Sequence, residues 1–313
     1  MKTHTSILVK GRYYTFSEYL RNRFGARVYK INIDAGFGCP NRDGKISRRG
    51  CIYCDNRAFS YYTRFSNIPV EVQIKERIER LRSRKKAEKF ILYFQAHTNT
   101  YASLEVLQER FNIIHDFRDI VGLSIATRPD CIDKEKLSFI NSFSSQYDVW
   151  LEYGLQSVHN KTLEFINRGH TFETFLEAVD LTRKYPGIKI CVHVILGLPG
   201  EDKIMMLETA KVLRTIKVEG VKIHPLHVVK GTKLNQMFSE KKYFPLGLEE
   251  YVDVVCSFLG NLWEGTVIQR LTADCPSTLL ISPEWVLDKK RVLDKINERL
   301  ERDNIFQGSL YNG

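Results

Sequence analysis

With 313 residues, 43% of them hydrophobic, the chain is long enough for one large or two modest domains. No apolar run reaches the roughly 18 residues of a membrane span, none near the start has the length of a secretory leader, and seven cysteines with three crowded into one loop argue against a secreted disulfide scaffold. The formal charge of +10 is uneven: residues 1–90 hold 21 Lys+Arg against 8 Asp+Glu and the remainder 26 against 29, which directs attention to anionic partners of the N-terminal third of a cytoplasmic protein.

The first 27 residues mix Tyr13, Tyr14, Phe16, Tyr19 and Phe24 with basic residues and are expected to pack down as a cap rather than offer aromatics to bases. A strand is predicted over 28–33, and directly after it comes a C-x11-C-x2-C run, Cys39, Cys51 and Cys54. Asn41, Asp43, Gly44 and Gly50 suit its turns, because glycine accepts positive φ and Asn or Asp makes local bends. Three thiolates are one short of the four that close a structural zinc site or cap every iron of a four-iron cluster. A position is thereby left for an outside ligand, unless His97 or a distant cysteine completes a zinc site. Arg42, Lys45, Arg48 and Arg49 lie inside the loop, and Arg80, Arg82, Arg84, Lys85, Lys86 and Lys89 follow. Such charge suits a phosphate backbone, although a basic helix run also serves as a solvated face.

Further strands are predicted at 90–95, 121–126, 148–153, 188–196 and 220–225, alternating with helices near 70–84, 103–116, 133–142, 172–184 and 202–216. This is the pattern of βα units around a parallel sheet. Polar residues collect at the C-terminal ends of the strands, where barrel enzymes place their sites. They are Gln95 to Thr100, Thr127-Arg128-Pro129-Asp130, Glu152 to Ser157, His193 to Glu201, and Lys222 to Leu226. Beyond 240 a helix (248–262), a strand (265–271) and a helix (284–299) are expected, as an extension that closes the barrel mouth or meets the substrate. Cys275, in the polar turn Thr272-Ala273-Asp274-Cys275-Pro276, is a candidate reactive thiol, whereas Cys131, Cys191 and Cys256 read as small core hydrophobes.

The cysteine loop, taken with Thr127-Arg128-Pro129-Asp130, Gly154-Leu155-Gln156-Ser157, Arg168-Gly169-His170-Thr171 and Gly197-Leu198-Pro199-Gly200, resembles the radical S-adenosylmethionine (SAM) superfamily. The combination is similar to the branch that holds the radical domain of the Elongator catalytic subunit. Cys39-Pro40-Asn41-Arg42-Asp43-Gly44 and Gln95-Ala96-His97-Thr98-Asn99-Thr100 look like the YhcC/YtqA group. The likeness implies an α/β fold, a partial (β/α)6 TIM-like barrel over 28–240, with 1–27 as a capping segment and 241–313 as a C-terminal α/β extension. It implies that Cys39, Cys51 and Cys54 bind three irons of a [4Fe-4S] cluster and that SAM chelates the fourth. One electron, from a donor such as flavodoxin or ferredoxin, then splits SAM into methionine and a 5'-deoxyadenosyl radical.

By the same resemblance, Tyr53 offers an aromatic face to adenine, and Gln95, Thr98 and Asn99 stand where many members carry a Gly-Gly-Glu type motif that this chain lacks. Arg128 would clamp the methionine carboxylate unless it pairs with Asp130. Glu152 and Gln156 would contact ribose or ammonium, His193 would reach the adenosine or a buried carbonyl, and the turn at Leu198 would lay backbone against adenine. Arg168 and His170 are candidates to reach substrate phosphate, against a helix-start turn capped by Thr171. The likeness covers the radical half of the Elongator subunit, and no acetyl-transfer domain is expected within these 313 residues. Basic loop and Elongator likeness together point to RNA, specifically tRNA, as substrate. A small metabolite or a protein is the alternative, and a non-catalytic zinc-binding nucleic-acid module is the reading of another class.

Overall fold

The computed structural model describes residues 11–64 and 68–311. Seven parallel strands lie side by side in chain order: β1 (Val28–Ile33), β2 (Lys89–Phe94), β3 (Ile120–Thr127), β4 (Asp148–Gln156), β5 (Ile188–Leu196), β6 (Gly220–Pro225) and β7 (Val267–Arg270). β1 and β7 do not pair, so the barrel stays open between them. Across that gap Lys30 Nζ donates to Gln269 Oε1 at 2.7 Å. The sheet therefore has one strand more than expected. Residues beyond 240 supply it, because Gly220 to Lys222 of β6 still has a free edge that Val267, Ile268 and Arg270 occupy in parallel register.

Each strand alternates between two environments, as period-two geometry requires. Phe90, Leu92 and Phe94 of β2, Val149, Leu151 and Tyr153 of β4, and Val192, Val194 and Leu196 of β5 face the main apolar core beneath the surrounding helices. Their neighbours Tyr93, Glu152 and His193 turn to the lumen. Helices begin where a side chain satisfies a free backbone N–H: Asp133 caps Lys134–Ser142, Thr171 caps Phe172–Thr182, and Asp202 caps Lys203–Ile216. The helix predicted at 103–116 is α-helical over Leu104–Phe111 and tightens into a 3-10 turn over Asn112–Asp116. The last helix starts later than expected, at Lys289, because Asp288 takes the capping position and accepts from Arg291 N.

At the N-terminal end of the strands, Thr15 caps the helix Phe16–Phe24, whose Phe16 and Tyr19 rings meet Trp150 of β4 edge-on at 5.9 and 5.4 Å. Tyr19 Oη and Trp150 Nε1 both donate to the buried Asp148, at 2.8 and 2.7 Å. Ile268 N donates to Tyr14 O at 2.8 Å, which ties this segment to β7. The lumen is thus stoppered at one end and open at the other. No helix among the described residues is long and apolar enough to cross a membrane.

Candidate active site

The cysteine loop folds back on itself: Arg42 N donates to Cys39 O at 2.9 Å, Gly50 N to Asn41 O at 2.8 Å, and Cys54 N to Cys51 O at 3.0 Å. Gly44 and Gly50 adopt positive φ in this loop, as expected for its turns. The loop is held from outside by 167–169. Asn41 Nδ2 donates to Asn167 O at 2.6 Å, and Asn167 Nδ2 returns a bond to Gly50 O at 2.6 Å. Three donors face the sulfurs: Asn41 Nδ2 lies 3.5 Å and Arg168 Nη1 3.7 Å from Cys51 Sγ, and Arg42 Nη1 3.9 Å from Cys54 Sγ. Burial and the neighbouring Cys51 push the Cys54 thiol up to about 12, so three thiolates here require cationic compensation.

The donor set fits a multi-iron cluster better than one zinc ion. Zinc holds sulfur at about 2.3 Å, which brings its ligand atoms within about 4 Å of one another. Among the described residues the one trio of ligating atoms within 4.8 Å is Glu152, Cys191 and His193, so the three sulfurs, with or without His97, are spread more widely. That other trio is unsuited to a cation because two lysine ammoniums already occupy its carboxylate. The cavity also holds two prepared acceptors for a polar guest. Asn41 Oδ1 and His227 Nε2 are buried without a partner, and Pro225 O, 3.2 Å from His227 Nδ1, holds the ring proton on Nδ1 and leaves Nε2 as an acceptor.

Below the loop the lumen widens into a cavity of about 230 Å³. On its inner side every strand contributes a residue to one polar layer: Lys30, Tyr93, Ser124, Glu152, His193, Lys222 and Gln269. Glu152 sits at the centre, fully buried. One oxygen accepts from Lys30 Nζ at 2.6 Å and from Ser124 Oγ, the other from His193 Nε2 at 2.7 Å and from Lys222 Nζ. Lys222 Nζ also lies 3.9 Å above the Tyr93 ring. Burial alone would raise the Glu152 carboxyl, but Lys222, Lys30 and His193 outweigh it and hold it well below the ordinary range. Burial brings His193 down to about 4 against the pull of Glu152, and brings Lys222 down to about 7.

The Lys222 shift has a measurable sign. The unfolded lysine keeps its proton to about pH 10.4, whereas the folded one releases it near 7. The unfolded state therefore binds more protons between those values, and this group makes stability rise with pH across that window. Denaturant titrations from pH 7 to the alkaline side should show a steeper rise for the parent protein than for Lys222→Met. Equal slopes would contradict the assignment.

The structure brings most of the predicted residues to one wall. Cys39, Cys51, Cys54, Tyr53, Gln95, Thr98, Arg128, Glu152, Gln156, Arg168 and His193 all line the cavity. Arg128 is committed elsewhere: Asp130 takes its Nε and Nη2 at 2.8 Å each, and its remaining donors reach Arg168 O at 2.7 Å and Gly169 O at 3.0 Å. The pairing left open in the sequence is present, and Arg128 holds the loop that holds the cysteines. Arg168 bonds Gly154 O through Nε at 2.9 Å and Nη2 at 2.5 Å, where a bulge at Gly154–Gln156 turns that carbonyl inward. A Cβ at Gly154 would meet Arg168 Nη2 at 2.6 Å, so a larger residue there would displace the guanidinium from that carbonyl.

Four candidates stand off the wall. Asn99 spends its amide on Ala96 O and Ala126 O at 2.8 and 2.9 Å. Leu198 is buried in a satellite core with Ile166, Leu226 and Leu234, against which Tyr53 packs. His170 lies between Thr171 O and Gly154 O at 3.2 and 3.3 Å, and burial with Arg168 and Arg128 brings it down to about 3, which keeps it neutral. The Cys275 thiol faces Pro276 O at 3.6 Å. Sequence reasoning missed Lys30, Asn41, His227 and Arg270 as site residues, and placed Lys222 among the polar strand ends without giving it a role. For Lys30 and Lys222 the signal was a cation inside a strand whose alternate residues are apolar.

The Radical SAM superfamily family model matches residues 36–213, and that of the Radical_SAM C-terminal domain matches 218–302. The Bacillus subtilis protein YtqA is 39% identical over 309 residues, covering 96% of this chain and 93% of its own. The tRNA uridine(34) acetyltransferase of Methanocaldococcus jannaschii is 33% identical over 165 residues, 51% of this chain and 30% of the enzyme. Among solved structures, the archaeal Methanocaldococcus infernus Elp3 superposes with a TM-score of 0.67 at 20% identity, covering 90% of this chain and 64% of that one.

Proposed function

The chain belongs to the radical SAM superfamily, in the group of YtqA and related to Elp3, and from that premise we propose that it modifies RNA, with tRNA as the substrate. It is an enzyme that uses a [4Fe-4S] cluster and SAM. Bound together, these supply a one-electron step and a radical able to take hydrogen from an unactivated carbon. The chain does the rest. Cys39, Cys51 and Cys54 hold the cluster, and Asn41, Arg42 and Arg168 direct hydrogens at two of the three sulfurs, which stabilises their negative charge. Arg128 keeps the 168–169 backbone in place. The stoppered lower end and apolar outer shell keep water from the carbon that reacts.

The observation that carries the RNA reading is the exposed basic surface of the cluster loop, joined to kinship with a tRNA-modifying enzyme over half the chain. Arg42, Lys45, Arg48 and Arg49 are all exposed on the loop that roofs the cavity. A phosphate backbone would meet them before any base is read, and its affinity would fall steeply with salt. The deciding measurement compares modified nucleosides in tRNA from cells with and without the gene. Loss of one nucleoside is expected, with its unmodified or partly modified precursor in its place. An identical nucleoside profile, together with salt-independent RNA binding, would sink the reading.

A further inference from the structure

While Lys222 holds its proton, the inner layer of the cavity has more cations than its carboxylates can balance. Lys30 and Lys222 share one carboxylate, Glu152. Arg270 lies 3.0 Å from Asp274, which it shares with Lys289 and which is partly exposed to water. Lys222 and Arg270 are register partners on adjacent strands, β6 and β7, and both line the same cavity. Neighbouring strands are about 4.8 Å apart, and like charges brought near each other across them repel, even where the register shifts at Val221/Lys222. Each has a carboxylate, Glu152 or Asp274, that it shares with a second cation. His224, beside them on β6, contacts the His193 ring and has no hydrogen-bond partner among the described residues. A folded chain keeps such an arrangement at a cost in stability, and an anion seated there would remove it.

We infer that the inner end of the cavity is an oxyanion site, in which Lys222 and Arg270, with His224 beside them, receive a carboxylate or phosphate group of the molecule that enters beneath the cluster. The methionine carboxylate of SAM is a different group. Glu152, at the level of Lys222, lies two residues or about 6.6 Å further along β4 from the cluster loop than Gly154, which Arg168 ties to Cys51. Glu152 keeps Lys222 extended towards the lumen. Tyr93 covers that ammonium on its other side, so the free approach is from the cavity. The inference rests on the family assignment and stands apart from the RNA reading, since it concerns the group held and not the molecule that carries it.

The test uses anaerobically reconstituted holoenzyme saturated with SAM, titrated with acetate and, separately, with inorganic phosphate at ionic strength held constant by chloride. Thermal unfolding and the relaxation of 13C-acetate or 31P-phosphate report binding. A saturable rise in Tm with matching line broadening is expected for at least one anion, and which one responds distinguishes a carboxylate from a phosphate. Lys222→Met leaves Glu152 paired with Lys30, and Arg270→Gln leaves Asp274 paired with Lys289, so each keeps a balanced ion pair. Each should weaken the response at least tenfold. A non-saturable response in the parent protein, or undiminished binding in both variants, overturns the site. An unchanged tRNA nucleoside profile beside an intact anion response would remove the RNA reading alone.

Discussion

Replacing Cys51 by alanine is expected to abolish SAM cleavage. The Cys51 sulfur is the one approached by both Asn41 and Arg168, so its loss takes away an iron ligand and leaves a buried guanidinium facing no anion. Two thiolates cannot hold three irons. Reconstituted parent protein should be brown, with about four irons and four sulfides per chain, and should release 5'-deoxyadenosine when reduced with dithionite. Cys51→Ala should bind far less iron and release 5'-deoxyadenosine only at background level. Cys131→Ala serves as the comparison, because that thiol points at Asp130 and lies outside the cavity lining. Equal release from Cys51→Ala and the parent would refute the placement of the cluster.

Glu152→Ala is expected to be the most destabilising single change in the barrel. The carboxylate is the shared partner of four donors from β1, β3, β5 and β6. Without it the two ammoniums of Lys30 and Lys222 face each other across a layer with no other acid. Breaking a buried ion pair from one side typically costs about 3–5 kcal/mol. Denaturant unfolding under anaerobic conditions should show a loss of that size. Adding Lys222→Met to Glu152→Ala should recover part of it, because one of the stranded charges is then gone. A loss below about 1 kcal/mol would mean that water reaches the layer and screens it, contrary to the burial described.

Much of the chemistry is legible in the chain because it is local. The C-x11-C-x2-C spacing, the turn glycines and the strand bounds at 28–33, 188–196 and 220–225 depend on neighbours a few residues away, and the structure reproduces those bounds. The clamp on the loop is not local. Asn41 meets the 167 carbonyl across 126 positions, and neither sequence segment carries a mark of the other. The polar layer was hidden for a related reason. Lys30, Lys222 and Gln269 each sit in a separate strand, and only curling of the sheet brings the two lysines to one carboxylate and Gln269 to Lys30. Gln269 was hidden twice, since its strand lies past the point where the family likeness fades. Asn99 shows the converse, because a motif position says nothing about which way a loop side chain turns.

An incomplete barrel leaves two raw edges, and one of them has a guard. The backbone of Tyr14 and Thr15 runs along Ile268, so the same short segment that plugs the lumen from below also caps the outermost strand. Unshielded parallel edges recruit other chains. Trimming those residues would therefore do two kinds of harm at once, letting solvent in beneath Trp150 and exposing an adhesive border to self-association.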